Sequence, residues 1–252
     1  MIKIFRKIRK TLLEENKTSK YFRYAIGEIL LVVIGILIAL QLNNWNTNRI
    51  EKNKNKELLI KLTKELDYNI QRAHFIDTVQ GGFQTRKIYT DSILSLIVKG
   101  IQPEDLNYLT KEAIFYVNTF NLNSTVFQEL KNTGSLYSLG TDSLVTQIQT
   151  YYQLCERESF YNLQYSEECI YLRRQCYDGF INFRQLYHLD AKTAIKDNPW
   201  IFNSKSKKTI HLRQYASRVS NQSNLMSYKL KNIMVESKKL KELIAKELNS
   251  YD

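Results

Sequence analysis

Glycine and proline are scarce in this chain, with 8 and 2 among 252 residues. Average usage near 7% and 5% would give roughly 18 and 13. So few breakers mean few tight turns and long helices. No strict alternation of apolar and polar residues is sustained anywhere, which argues against a strand-rich fold. Cysteine is rare too, and its count of 3 is odd. Cys155, Cys169 and Cys176 contain no CxxC pair, so neither a disulfide framework nor a paired thiolate metal site is indicated. On a single helix Cys169 and Cys176 would stand roughly 10 Å apart, beyond disulfide reach, and all three read as small buried residues.

Histidine is equally sparse: His74, His188 and His211 are scattered. No HExxH, GxSxG, P-loop or GxGxxG pattern occurs. His74 and Asp77 share a helical face at i, i+3, but one such pair falls short of a ligand set. No catalytic residue, cofactor or metal is therefore expected, and the chain reads as a non-enzyme. Among the 17 Tyr and 11 Phe, Tyr151, Tyr152, Tyr161, Tyr165 and Tyr171 are read as core and interface residues and not as a ligand cage.

What the chain does have is an apolar run. Residues 24–45 read YAIGEILLVVIGILIALQLNNW, and within residues 25–42 Glu28 is the one charge. About 20 apolar residues at about 1.5 Å each span a bilayer as a helix. Residues 29–40 show no polar side, unlike a buried helix of a soluble domain. Tyr24 and Trp45 bracket the run where amphipathic rings suit the two interfaces. The run is too long for a signal peptide and lacks a small-x-small cleavage site, so an uncleaved anchor is expected.

Charge orients it. The formal net charge is +12, and residues 1–23 hold 8 Lys/Arg against Glu14 and Glu15, a net of +6. By the positive-inside rule the N-terminus is cytoplasmic. Residues 2–15 form an amphipathic pattern, with Ile4, Ile8 and Leu12 stacked and Lys3, Arg6, Lys7, Arg9 and Lys10 placed for lipid headgroups. The basic balance is read as a membrane-surface tail and a solvated surface, and nucleic acid is not an expected partner.

Within the apolar run, Gly35 and Ala39 form a small-xxx-small pair that lets helix backbones approach. Glu28 is a carboxylate in a costly place, one turn from Tyr24. It is either neutralised by headgroups, Arg23 or a basic neighbour, or it makes a polar contact in a complex. Glu28, Gly35 and Ala39 are the candidate helix contacts.

The remaining residues are organised as helices. Residues 46–57 are polar, either a solvated extension of the membrane helix or a flexible stalk. Leu59, Leu62, Leu66, Ile70 and Ala73 begin a helical face. Further helices are predicted over residues 84–99, closed by Gly100, and 103–117, opened by Pro103. A short one follows over 126–132, with Thr125-x-x-Gln128 in capping-box form and Gly134 as its C′ residue. A long helix from residue 141 or 142 reaches about 189, with its polar middle, 156–168, a break or an exposed stretch. The last, over about 206–249, carries an unbroken 3–4 seam: Ala216, Val219, Ser223, Met226, Leu230, Ile233, Ser237, Leu240 and Ile244. It is expected to pack antiparallel against the helix after Leu59, with homodimerisation through it as the alternative.

The run FRKIRKTLLEENKTSKYFRYAIGEILLVVIGILIALQLNNWN, and the later STVFQELKNTGSLYSL followed by Tyr151-Tyr152, resemble the DUF6090 family of Bacteroidota membrane proteins. The resemblance covers most of the chain and is most specific at the N-terminus. It implies a Gram-negative inner-membrane protein with a helical periplasmic domain, and it brings no catalytic residues.

The expectation is an all-α protein with four parts. These are a basic cytoplasmic tail (1–23), a transmembrane helix (24–45), a juxtamembrane stalk (46–57) and a helical extracytoplasmic domain (58–252) forming an antiparallel bundle. Expected partners are membrane lipid and either another protein or a second copy. The leading function is a membrane-held interaction or scaffold module. The alternative is an accessory subunit meeting a multi-spanning complex through Glu28 and the Gly35/Ala39 face.

Overall fold

The structure is a computed structural model that describes residues 18–79, 81–111 and 120–251. The amphipathic helix expected over residues 2–15, with Lys3, Arg6, Lys7, Arg9 and Lys10, lies outside them. So does the end of the helix expected over 103–117. Among the described residues the regular elements are all helical and no strand occurs, so the all-α expectation holds. The chain divides into two compact units, Met1–Lys56 and Glu57–Asp252.

The first unit is built on helix α1, Thr18–Thr78, which begins there and continues past Glu57. No proline interrupts it, so every backbone N–H beyond its first turn can find a helical partner. Residues 46–57 are part of the helix, which makes the polar stretch a helical extension and not a flexible stalk. Its solvated face is served by local contacts: Arg49 lies 5.3 Å from the Trp45 ring centre and donates to Asn46 Oδ1 at 3.2 Å.

In the second unit α1 is followed by α2, Phe83–Lys99. A 3-10 turn at Pro103–Asp105 then leads into α3, Leu106–Lys111. The chain goes on through α4, Thr125–Asn132, a second 3-10 turn and α5, Asp142–Gln175. Past a π-turn at Tyr177–Ile181 come α6, Asn182–Leu189, and α7, Ala191–Asp197. After a third 3-10 turn, α8 spans Lys207–Asn249, roughly 65 Å at 1.5 Å per residue.

The local signals that start and stop these helices are chemical. Thr141 Oγ1 accepts from Leu144 N at 3.3 Å to open α5. Ser206 Oγ accepts from Thr209 N at 3.1 Å to open α8. Gly134, at φ 70 and ψ 0, takes the left-handed position after α4 that a side chain would disfavour.

The capping box expected at Thr125–Gln128 does not form. Thr125 is already helical, and Ser124, at the N-cap, makes no side-chain cap. The Glu65 carboxylate, reaching across from α1, accepts from Val126 N at 2.7 Å instead. A buried anion at a helix N-terminus satisfies an orphan donor and complements the dipole.

A second correction concerns residues 156–168. They neither break the helix nor lie wholly exposed. Glu158, Asn162 and Ser166 are buried, because each finds a polar partner inside. The interruption comes later, at Gly179, whose φ −112 and ψ −105 are non-helical. A Cβ there would sit 3.1 Å from Lys208 Cβ, so α8 starts where a side chain would obstruct it.

Two apolar clusters fill the unit. One joins α1 (Leu58, Leu59, Leu62, Leu66) to α4, α5 and the later part of α8. The other joins α2, α3, α6 and α7 to the earlier part of α8. Every residue of the predicted α8 seam is buried, at 3% exposure or less. Polar pairs along α5 and α8 come in opposite order: Tyr151 with Ser237, Glu158 with Lys229, Ser166 with Gln222, and Glu168 with Arg218.

Candidate functional site

Two regions hold the residues that chemistry singles out: the apolar part of α1 and the polar interior of the second unit. Because α1 is an unbroken helix, Glu28, Gly35 and Ala39 fall within about 40° of one another around its axis, at 100° per residue. They form one stripe roughly 16 Å long. A Cβ built on Gly35 meets nothing within 4 Å, and Ala39 is exposed. Trp45 is exposed and lies off the stripe, turned about 100° from Glu28. Tyr24 lies on the helix, its side chain outside the described set. From Ile29 to Leu40 the Ile, Leu and Val side chains are 45–64% exposed on all sides. An 18-residue window of this segment is long and apolar enough to cross a membrane, and none of it is buried.

The polar interior of the second unit is organised around α8. Near its C-terminal half, Glu65 accepts hydrogen bonds from Val126 N and the Tyr152 hydroxyl. Tyr152 stacks on Phe127, with ring centres 4.1 Å apart. Asn69 closes a reciprocal pair with the Asn123 main chain, at 2.8 and 2.7 Å. Ser237 donates to the Tyr151 hydroxyl at 2.9 Å. Midway along, Glu158 receives Lys229 and Arg157, and Lys229 also lies 4.4 Å from the Tyr161 ring centre. Further on, Gln222 donates to Ser166 at 3.1 Å and accepts from the Cys169 thiol at 3.1 Å.

These groups are held, not activated. Burial pushes the thiols of Cys155 and Cys176 up to about 12 and that of Cys169 up to about 11. None is a thiolate at neutral pH, and all three are free. Burial likewise raises the hydroxyls of Tyr151, Tyr152 and Tyr215. The histidines are apart. His74 Nε2 is 3.5 Å from Thr78 Oγ1, His188 Nε2 is 3.0 Å from the Thr110 carbonyl, and His211 Nδ1 is 3.1 Å from the Gln175 carbonyl. Asp77 is buried and accepts from Gln84 at 2.6 Å, tying α1 to α2. Among the described residues no group of three His, Cys, Asp or Glu is placed to hold a metal ion.

Sequence reasoning missed Glu65, Arg86 and Glu158. Glu65 carried a readable signal. It lies three residues after Leu62 and four before Asn69, inside the buried stripe of α1. A carboxylate in an apolar stripe calls for a partner.

Comparison of the chain with protein-family models, with curated proteins and with solved structures finds no match in any of the three.

Proposed function

We propose that the protein is a single-pass inner-membrane protein whose helical domain serves as a non-enzymatic interaction or scaffold module on the periplasmic side. One observation carries this reading: the helical segment of residues 29–40 exposes aliphatic side chains all round. In water each would forgo about 1.5–3 kcal/mol of burial, whereas hydrocarbon covers every side at once. The basic residues before the segment favour a cytoplasmic N-terminus. The opposed order of polar pairs along α5 and α8 supports an antiparallel bundle as the domain's architecture. The resemblance to the Bacteroidota family fits the same arrangement. Alkaline phosphatase fused after Asp252 should be active, and a cytosolic reporter there should be dark. The reverse pattern would place the domain in the cytoplasm and overturn the reading.

A second reading has its own observation. Glu28, Gly35 and Ala39 share one stripe, and nothing lies within 4 Å of a Cβ on Gly35. In this reading the protein is an accessory subunit that meets a multi-spanning complex through that stripe. Purification in mild detergent separates the two. A multi-spanning partner lost with Gly35→Leu supports the accessory subunit, and a partner retained by that variant supports the scaffold.

A further inference from the structure

α1 does not end where its apolar run ends. Beyond Trp45 it continues without a break through residues 46–57, whose basic side chains are Arg49, Lys52, Lys54 and Lys56. At 100° per residue, Trp45, Arg49 and Lys52 fall within about 60° of one another, and Lys56 within the same arc. The two carboxylates of the stretch lie elsewhere, Glu51 about 160° and Glu57 about 80° from Arg49. Trp45, Arg49 and Lys52 are all exposed. The apolar run is thus continued, on one face, by an indole and a row of cations.

Helical side chains lean toward the N-terminus of their helix. For residues that follow the run, this direction is back toward the run. Arg49 shows the lean. Its Cα stands roughly 6 Å beyond that of Trp45 along the axis, yet its guanidinium carbon lies 5.3 Å from the centre of the Trp45 ring. It also donates to Asn46 Oδ1 at 3.2 Å. Its charge is therefore carried at the edge of the apolar run. Lys52 stands roughly 10 Å beyond Trp45, on the same face and with the same lean in its Cα–Cβ bond. The headgroup layer of a bilayer is roughly 5–8 Å deep on each side, which brings both cations to the level of lipid phosphates. No carboxylate among the described residues pairs with either cation.

We propose that Trp45, Arg49 and Lys52 form a binding site for the phosphate of an anionic phospholipid headgroup. The guanidinium and the ammonium supply charge-assisted donors, and the indole N–H supplies a neutral one beside them. An anionic headgroup is preferred to a zwitterionic one, whose own amine balances its phosphate. The proposal rests on the reading that residues 29–40 cross a membrane.

The test is spin-label electron paramagnetic resonance on the full-length protein in phosphatidylcholine vesicles. The probes are spin-labelled phosphatidylglycerol and spin-labelled phosphatidylcholine, and the fraction of each slowed at the protein gives the preference for the anionic lipid. The basic tail before α1 is the same in every variant, so differences between variants isolate the site. Arg49→Gln/Lys52→Gln should lower the preference at least twofold, and the loss should fade at high salt, where exposed charges are screened. Both residues are exposed, so unfolding of the second unit should stay at the wild-type midpoint. Lys54→Gln, about 140° from Arg49 around the helix, should keep the wild-type preference. An unchanged preference in Arg49→Gln/Lys52→Gln overturns the proposal. So does an equal loss in Lys54→Gln, which would mark diffuse attraction and no site. Inorganic phosphate at matched ionic strength should not compete; if it does, the site takes the free anion and the lipid assignment falls. Protein that fails to enter the vesicles overturns the membrane reading, and this proposal with it. Protein that enters them with no difference between variants overturns this proposal alone.

Discussion

Residues 29–40 of α1 expose Ile, Leu and Val on every side, whereas α8 carries a seam of nine residues that is buried along its whole length. Both are long helices without proline. What differs is the period. In α8 the seam residues recur by 3 and 4, so one stripe is dry and the opposite face is mostly polar. In α1 they are continuous, so no orientation in water could hide them. The comparison separates a helix whose seam is covered by the rest of its own chain from one whose apolar residues are covered by none of the described residues.

The largest effect should break the seam. Leu230 is fully buried, so Leu230→Asp should abolish cooperative unfolding of the second unit. Leu230→Ala should cost about 2–5 kcal/mol. Leu37→Ala, in the exposed segment, should leave that transition within about 0.5 kcal/mol. Denaturant titration followed by circular dichroism measures all three. Equal costs at Leu230 and Leu37 would erase the distinction between the helices.

Next is the charge pair inside the seam's flank. Removing one partner of a buried pair leaves the other uncompensated, at about 3–5 kcal/mol. Glu158→Gln keeps a hydrogen-bonding amide and should cost somewhat less, about 2–4 kcal/mol. Burial works against the charge of Glu158, but hydrogen bonds from Lys229 and Arg157 outweigh it and hold the carboxyl below its ordinary range. A carboxyl whose folded pKa is depressed stabilises the fold above the unfolded value, near pH 4.3. That stability is lost as pH falls through the folded value. Wild type should therefore lose Tm steeply below about pH 4, and Glu158→Gln should show a shallower slope there.

Much of this was legible from residue spacing. The α8 seam was legible because nine positions in a 3–4 rhythm cannot be arranged otherwise on a helix. The stop at Gly134 was legible because the left-handed position selects glycine. What stayed hidden were contacts between distant segments. Thr125-x-x-Gln128 has the spacing of a capping box, yet Glu65, far away in sequence, takes the N-terminus of α4. Residues 156–168 look too polar for an interior, yet Glu158, Asn162 and Ser166 each meet a partner from α8. Local composition reports the cost of burying a polar group, but not who shares it. For the same reason Ser237 is no idle polar residue of the seam, since its hydroxyl lies within hydrogen-bond distance of both the Tyr151 hydroxyl and the Ile233 carbonyl.

The cap of α4 gives a smaller, sharper test. Glu65→Ala strands Val126 N and the Tyr152 hydroxyl in a buried place, and each unsatisfied group costs about 1–3 kcal/mol. Thr125→Ala removes only an exposed contact to Asn123 and should cost about 0.5 kcal/mol or less. If Thr125→Ala proved the more damaging by thermal melting, the local capping box would be restored.

The smallest effect on stability is expected in the exposed segment, at Gly35. A Cβ there meets nothing within 4 Å, so Gly35→Leu encounters no obstacle within its own chain. Leucine is also the better helix former by roughly 0.5–1 kcal/mol, which slightly favours α1 itself. Unfolding of the second unit should therefore match wild type. Association should not. The added side chain holds a neighbouring helix away from the stripe shared with Glu28 and Ala39, and close backbone approach is what a small-xxx-small pair provides. Crosslinking between membrane helices should fall in Gly35→Leu and stay near wild type in Val33→Leu, which adds bulk about 160° away around the helix. Glu28→Gln should have the smaller effect of the two stripe variants, because an amide near the headgroups keeps its hydrogen bonds. If Gly35→Leu and Val33→Leu crosslink alike, the stripe has no partner. Gly35 would then be a small residue on an exposed helix face with no part in association.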